Sequence, residues 1–277
     1  MIKIGKYNDL TILKKIEDDF ILVDETGEEI LLKKKHIPEE HVIGDLIRVF
    51  VYLNNEEKKV ATSVEPKVKL DEFAFLTVVT VNQYGAFLDW GMGKDLFVPF
   101  KEQRMEMETG NSYVVYMDFD EKSNRLFASS RIENYLQNEQ LSVSTGQEVA
   151  VMIVRATDIG YTAIVNNEHQ GLVYKNETFR SLNIGDRVKG FVKKIREDNK
   201  LDISLEPIGY SNFNDKNAEA VLQALKTNDG FLPFNDKSAP EAIYDKFGIS
   251  KKAFKKALGA LYKAKLIVLG DDGTKLV

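Results

Sequence analysis

Cysteine is absent from this 277-residue chain, and tryptophan, histidine and proline are scarce, with one, three and six copies. A chain without cysteine has no disulfides, zinc-thiolate sites or thiol nucleophile, which fits a reducing compartment. The three histidines, His36, His41 and His169, are scattered along the sequence. We therefore expect no metal site.

Long apolar runs are also missing. No stretch approaches the roughly 18 apolar residues that a membrane helix needs, and the segment from Met1 to Lys6 contains no apolar core of a signal peptide. We therefore expect a cytoplasmic protein that makes no contact with membranes. Acidic residues outnumber basic ones by 43 to 38, for a net charge of −5, so only local faces of the protein can be basic.

Motifs of catalysis and cofactor binding are missing as well. Gly91-Met92-Gly93 lacks the rest of a dinucleotide-binding fingerprint, and neither GxxxxGK[ST] nor GxSxG occurs in the sequence. We therefore expect no catalytic residues, no cofactor and no small-molecule substrate.

What the sequence does contain is one pattern three times: a glycine, an alternating strand and a second, shorter strand. The first and second copies are 66 residues apart, and the second and third are 75 residues apart. The same two distances separate the glycines, Gly44, Gly110 and Gly185, and the serines, Ser63, Ser129 and Ser204. Three short β-branched runs separated by turn residues precede each copy. Five strands in roughly 65–75 residues are typical of the OB fold, a five-stranded Greek-key barrel.

The repeats predict a mainly β protein with an α+β tail. Its expected parts are three tandem OB barrels, a linker and a terminal domain, at residues 1–66, 67–138, 139–207, 208–214 and 215–277.

Two segments make the resemblance to a known family specific. Tyr84 to Asp89, YGAFLD, is similar to the F-G-A-F-V signature of the S1 repeat, an RNA-binding OB domain, and Gly171 to Tyr174 resembles its G-L-V-H step. With three such repeats and the tail described below, the whole chain resembles the conserved virulence factor B family of bacterial RNA-binding regulators. This resemblance implies post-transcriptional control of gene expression.

No single repeat matches the whole signature. The first has Asp19-Phe20 in place of glycine and an aromatic residue, the second has Val98 at the histidine position, and the third has Ile159 and Thr162 near the aromatic positions. We therefore expect RNA affinity to be shared between domains.

The tail after residue 214 has helical periodicity. Ala218, Val221, Leu222 and Leu225 share one face of a first helix. Ser238 is expected to cap a second helix that ends at Gly248, and Ser250 to cap a third. In the third helix we expect Phe254, Leu258, Leu261 and Tyr262 to face inward. A terminal hairpin, 266–269 with 274–277, completes a winged helix.

Two sets of residues are candidates for RNA contact in the barrels. The first could stack on bases or could pack in the barrel cores, and its members are Tyr84, Phe87, Phe97, Tyr161 and Tyr174. The second could bind phosphates or could form a solvated face: Arg125, Lys193, Lys194, Arg196 and Lys200. Strand alternation places Tyr84 opposite Phe87, so one of the two should point inward unless Gly85 marks a bulge.

The third helix of the tail is the most basic element. Lys251, Lys252, Lys255 and Lys256 open a stretch that contains no acidic residue before Lys265, and a helix lined by cations can neutralise phosphates. We expect a non-catalytic protein that binds single-stranded RNA. Two alternatives remain open: a DNA-binding transcription factor using the winged helix, or a scaffold on ribosomes or polymerase.

Overall fold

The computed structural model describes residues 1–33, 41–175, 181–205 and 216–277. The predicted linker at 208–214 and His36 lie outside these ranges. Within them, three β-units follow one another along the chain and precede a helical domain.

The first unit is a closed barrel with strand order β1-β2-β3-β5-β4. Its strands are β1 (Tyr7–Ile16), β2 (Asp19–Val23), β3 (Glu29–Leu32), β4 (Leu46–Leu53) and β5 (Lys59–Thr62). Alternate positions along β1, such as Leu10 and Ile12, are buried in its core, as a barrel wall requires.

The second unit also has five strands, which form a sheet in the order β10-β9-β6-β7-β8. β8 and β10 are therefore the two edge strands of this sheet. Its strands are β6 (Phe73–Asn82), β7 (Gly85–Asp89), β8 (Leu96–Pro99), β9 (Ser112–Asp120) and β10 (Arg125–Ser129). β8 and β10 lie side by side but form no ladder, so this unit lacks the hydrogen-bonded closure of the barrels on either side.

The third unit is again a closed barrel, ordered β11-β12-β13-β15-β14. Its strands are β11 (Glu148–Ala156), β12 (Gly160–Val165), β13 (His169–Tyr174), β14 (Arg187–Ile195) and β15 (Leu201–Ser204). The predicted fold class is confirmed, with the difference that the middle barrel is not closed.

Neighbouring units share hydrophobic contacts. Trp90 of the second unit is buried against Phe50 and Tyr52 of the first, with ring centroids 5.9 and 6.0 Å away. Between the second and third units, Phe73 and Val114 pack in one cluster with Met152 and Ile164. Trp90 therefore packs between the first and second units.

The tail folds as three helices and a small sheet of order β16-β18-β17. The elements are α1 (Lys216–Thr227), β16 (Phe231–Leu232), α2 (Pro240–Phe247), α3 (Lys251–Lys263), β17 (Ile267–Leu269) and β18 (Thr274–Leu276). Ser250 caps α3 by accepting a hydrogen bond from the Ala253 amide at 3.2 Å, and Gly248 ends α2 with φ +65°. Both match the prediction.

Two expectations for the tail are wrong. Ser238 does not cap α2, because its hydroxyl accepts from the Asn235 amide at 2.9 Å and the helix begins after Ala239. Tyr262 is 56% exposed, because it lies one position beyond Leu261, outside the buried stripe of α3. In the part of the chain that the structure describes, no helix combines the length and apolarity needed to cross a bilayer.

Candidate nucleic-acid interface

A groove of about 850 Å³ lies on the second barrel. Strands β7, β8 and β10 and the turn between β9 and β10 line most of it, and the β4–β5 turn of the first barrel lines one edge. Four residues predicted from the sequence come together there: Tyr84, Phe87, Phe97 and Arg125. This is the place in the structure where the predicted aromatic residues and a predicted cation meet.

The floor of the groove is a pair of aromatic rings. Phe87 of β7 and Phe97 of β8 are directly paired across the two strands, and their ring centroids are 5.1 Å apart with planes tilted by 36°. Both rings are half-buried, whereas Leu88 beside Phe87 is fully buried in the core. The pair thus presents ring surface to solvent from a rigid two-strand support.

Tyr84 also faces the groove, and its side chain is 66% exposed. The expectation that Tyr84 and Phe87 point to opposite faces is wrong, because Tyr84 precedes the first residue of β7 and strand alternation does not apply to it. A register shift does occur, but on the neighbouring strand between Val78 and Thr80, where β6 passes Phe87.

Gly85 permits the close packing of β7 on β8. Its φ is +153°, and a Cβ built at this position would lie 2.2 Å from the Val98 carbonyl oxygen and 3.0 Å from the Phe97 ring. Gly160 has the same relation to Val173 in the third barrel, with a distance of 2.1 Å. The glycine of the YGAF segment is therefore required by the strand contact that places Phe97 beside Phe87.

Further residues of the groove were not predicted from the sequence. They are two half-buried rings and two exposed lysines: Phe119, Phe127, Lys101 and Lys122. Phe127 lies two residues from Arg125 on the last predicted strand of the second repeat. An aromatic residue so close to a candidate cation could have been recognised in the sequence as a candidate for RNA contact. Phe119 and the lysines give no such signal, because only the folded sheet places them at the groove.

Charges at the groove are mixed. Arg125 Nε lies 3.2 Å from Glu57 Oε2, and Lys94 Nζ lies 2.7 Å from Glu57 Oε1. The hydrogen bond from Lys94 holds the pKa of the Glu57 carboxyl below its usual range, so it is ionised at neutral pH. Desolvation, followed by the nearby Asp89 charge, raises the pKa of Asp95, which also lines the groove.

The aromatic pair belongs to the second barrel. The equivalent cross-strand pairs are Ile21 with Leu31 in the first barrel and Thr162 with Leu172 in the third. The three barrels thus differ at the position that presents rings to solvent.

The remaining aromatic candidates of the third barrel make internal contacts. Tyr161 packs against the third core. The Tyr174 hydroxyl accepts a hydrogen bond from Arg196 Nη2 at 2.5 Å, and the same guanidinium is paired with Asp202 Oδ1 at 2.6 Å. These contacts connect β13 and β15 through Arg196, the residue that follows β14.

Exposed cations of the third barrel lie on and after β14. Lys193 and Lys194 are both exposed at an irregularity in the β14–β15 register, between Val192 and Lys194. Lys200 is exposed and pairs with Asp198 at 2.7 Å. None of these three lysines lines the groove of the second barrel.

The exposed face of α3 is basic. Lys252, Lys255, Lys256 and Lys263 are exposed, whereas Phe254, Ala257, Leu258 and Leu261 are buried on the other side. Lys251 is half-buried, and its ammonium donates to the Lys237 carbonyl at 3.4 Å. In the middle of the basic face, Gly259 has nothing within 4 Å of where a side chain would begin, so a ligand can approach the helix closely there.

Comparison with known proteins identifies two domains. Residues 4–63 match the S1 domain, and residues 219–276 match the CvfB-like winged helix domain. The S1 match covers the first barrel. OB-type barrels and helix-turn-helix domains are both types that bind nucleic acids.

Similar proteins align over almost the whole chain. Conserved virulence factor B of Staphylococcus epidermidis is 25% identical over 274 residues, covering 95% of this chain and 91% of that protein. A protein of Bacillus subtilis named YitL is 27% identical over 270 residues, covering 94% and 89%. Among solved structures, a multidomain protein with nucleic acid binding domains from Streptococcus pneumoniae covers 99% of this chain and 98% of its own, with 24% identity and a TM-score of 0.46.

Proposed function

Because the chain is a homologue of the conserved virulence factor B proteins, we propose that it is a non-catalytic, cytoplasmic RNA-binding regulator that acts after transcription. The observation that carries this proposal is the groove of the second barrel, where Tyr84, Phe87 and Phe97 present ring surface beside exposed cations. Single-stranded nucleic acids bind OB folds in this way, with bases on aromatic rings and phosphates along cations.

The proposed ligand is single-stranded RNA. A stacked base needs an unpaired partner, and the half-buried Phe87–Phe97 pair offers ring faces that a base inside a duplex could not reach. Every base has a π-face, so this contact tolerates many sequences. Lys101, Lys122 and Arg125 line the same groove and would bind the phosphates of the same strand.

Weaker contacts elsewhere would add to this central site. We assign phosphate contact to Lys193, Lys194 and Lys200 of the third barrel and to the basic face of α3. Several weak sites on one chain raise one another's effective concentration, so the total affinity exceeds that of each site. Arg196 and Tyr174, which bond to each other, would support this surface and would not stack on bases themselves.

The side chains of α3 favour contact with phosphates and not recognition of base edges. Its exposed cations are lysines, which offer point charges to phosphates, whereas bidentate recognition of a base uses arginine, asparagine or glutamine. A sequence-specific transcription factor would need such residues on this helix. We therefore place α3 in the RNA-binding surface.

Competition binding tests the proposal. Fluorescence anisotropy of the full chain with labelled single-stranded RNA should show displacement by unlabelled single-stranded RNA and much weaker displacement by duplex DNA. The logarithm of the affinity should fall with the logarithm of salt concentration, by about 0.7 for each phosphate contact. A flat salt response, or stronger displacement by one duplex DNA sequence, would contradict it; displacement by ribosomes alone would instead support a scaffold.

A further inference from the structure

A carboxylate of the first barrel occupies the rim of the groove on the second barrel. Glu57, in the turn between β4 and β5, lies 2.7 Å from Lys94 Nζ and 3.2 Å from Arg125 Nε. Both cations belong to the second barrel and line the groove beside its aromatic floor. One carboxylate thus engages two of the cations that an entering phosphate would meet.

The position of Glu57 is set by the fold. The side chain of Asn54 accepts hydrogen bonds from the Glu56 and Lys58 amides at 2.9 and 3.0 Å, which fixes the turn. Glu57 itself has φ +59°, in the left-handed region of backbone conformation that residues other than glycine rarely adopt. The buried contact of Trp90 with Tyr52, at the end of β4, then holds this turn against the second barrel.

The ion pairs contribute little to stability. The side chains of Lys94, Glu57 and Arg125 are 31%, 40% and 60% exposed, and solvated pairs of this kind are weak. An RNA phosphate carries one negative charge, as the carboxylate does, and it likewise accepts charge-assisted hydrogen bonds from guanidinium and ammonium groups. An RNA phosphate can therefore take the place of Glu57 on Lys94 and Arg125.

We infer that Glu57 is a built-in competitor of RNA phosphate, through which the first barrel sets the affinity and the salt dependence of the groove on the second. This inference rests on the proposed function, because it requires that the groove binds RNA. In the bound state the carboxylate leaves the two cations, and phosphates replace it. The first barrel, which lacks an aromatic pair, then acts on RNA binding through its neighbour.

The test is Glu57→Gln in the full chain, with Glu56→Gln as the matched control. Glu56 is in the same turn and loses the same charge, but its carboxylate pairs with Lys58 of its own barrel at 2.9 Å. Glu57→Gln should tighten binding to a single-stranded RNA by about two- to tenfold at low salt and steepen the salt slope by about 0.7–1.4, one or two added phosphate contacts. Equal effects of the two variants, or no gain for Glu57→Gln, would overturn the inference.

A double substitution separates competition from a general charge effect. In an Arg125→Gln, Lys94→Gln background, Glu57→Gln should give no gain, because the cations that it would release are gone. A gain that persists there would show that the carboxylate acts on RNA directly and would also overturn the inference. Phe87→Ala distinguishes failure of the proposed function from failure of this inference. If Phe87→Ala leaves RNA binding unchanged, the proposed groove is wrong. If Phe87→Ala weakens binding but Glu57→Gln has no effect, only the inference about Glu57 is wrong.

Discussion

Asn167 of the third barrel accepts a hydrogen bond from the backbone amide of Phe73 in the second, with Oδ1 and N 3.0 Å apart, although 94 residues separate them in the chain. The same side-chain amide donates to the Asp71 carbonyl at 2.7 Å. Arg187 adds a third bond, from its Nη2 to the Phe73 carbonyl at 2.5 Å. The second and third barrels are therefore joined by directed bonds as well as by apolar contact.

Asn167→Gly should weaken this junction. Asn167 has φ +61°, which glycine adopts without strain, so the variant removes the amide and leaves the backbone in place. Loss of the partner of the part-buried Phe73 amide should cost about 1–3 kcal/mol in the free energy of unfolding, whereas the bond to the Asp71 carbonyl is exposed and its loss should add little. Thermal unfolding and hydrogen exchange at the Phe73 amide measure this. Asn124→Gly, at φ +57° in the β9–β10 turn, is the control and should change stability much less.

Phe87→Ala should reduce RNA affinity without unfolding the second barrel. A base stacked on an aromatic side chain is worth about 1–3 kcal/mol, and the half-buried ring of Phe87 leaves only a shallow gap when removed. Leu88→Ala is the control, because Leu88 is fully buried next to it. We expect that variant to lose about 2–5 kcal/mol of stability instead. Affinity by anisotropy and thermal midpoints distinguish the two. If Phe87→Ala, like Leu88→Ala, loses only stability, Phe87 is a core residue.

Gly85→Ala should distort the β7–β8 contact. The added methyl group would meet the Val98 carbonyl oxygen at 2.2 Å, in addition to the strain of a positive φ. Gly110→Ala separates these causes, since Gly110 has φ +87° but open space around it. The control should cost about 1–2 kcal/mol from backbone strain, and Gly85→Ala should cost clearly more. Equal losses in denaturant unfolding would mean that the strands move apart easily.

The basic face of α3 should add to RNA affinity. Replacing Lys251, Lys252, Lys255 and Lys256 by Gln should lower the affinity and flatten the salt slope, because each lost phosphate contact removes about 0.7 from it. The control makes the same change in charge elsewhere in the tail, at Lys216, Lys226, Lys246 and Lys275. Anisotropy titrations at several salt concentrations compare the two variants. Equal loss in both would indicate attraction by net charge and not a surface on α3.

Local patterns in the sequence predict local structure well in this protein. The matched spacing of the repeat glycines and serines predicts three five-stranded units, and Gly248 and Ser250 predict the end of α2 and the start of α3. Ser238 shows the limit, because the capping pattern does not reveal that its hydroxyl accepts from the Asn235 amide instead. Tyr262 shows another, since a tyrosine at the edge of a helical stripe can be exposed.

The candidate site could be predicted only in part. Tyr84 and Phe87 follow from the YGAFLD motif, and Phe97 lies on the adjacent strand β8, directly opposite Phe87. Glu57 is 68 residues from Arg125, and its role depends on how two barrels pack, which no local pattern encodes. Contacts between domains are set by surface shape and buried rings, so the charge partners of a groove become visible only in the folded chain.

The junction at Asn167 has a consequence for the thermodynamics of binding. When domains are joined by a loose tether, a ligand that touches both must also restrict their relative motion, and part of the binding free energy is lost to that ordering. Here hydrogen bonds and buried rings have already fixed the second barrel against the third before any ligand arrives. The entropy lost on association should therefore fall mainly on the RNA strand, whose own stiffness would then govern how tightly it is held.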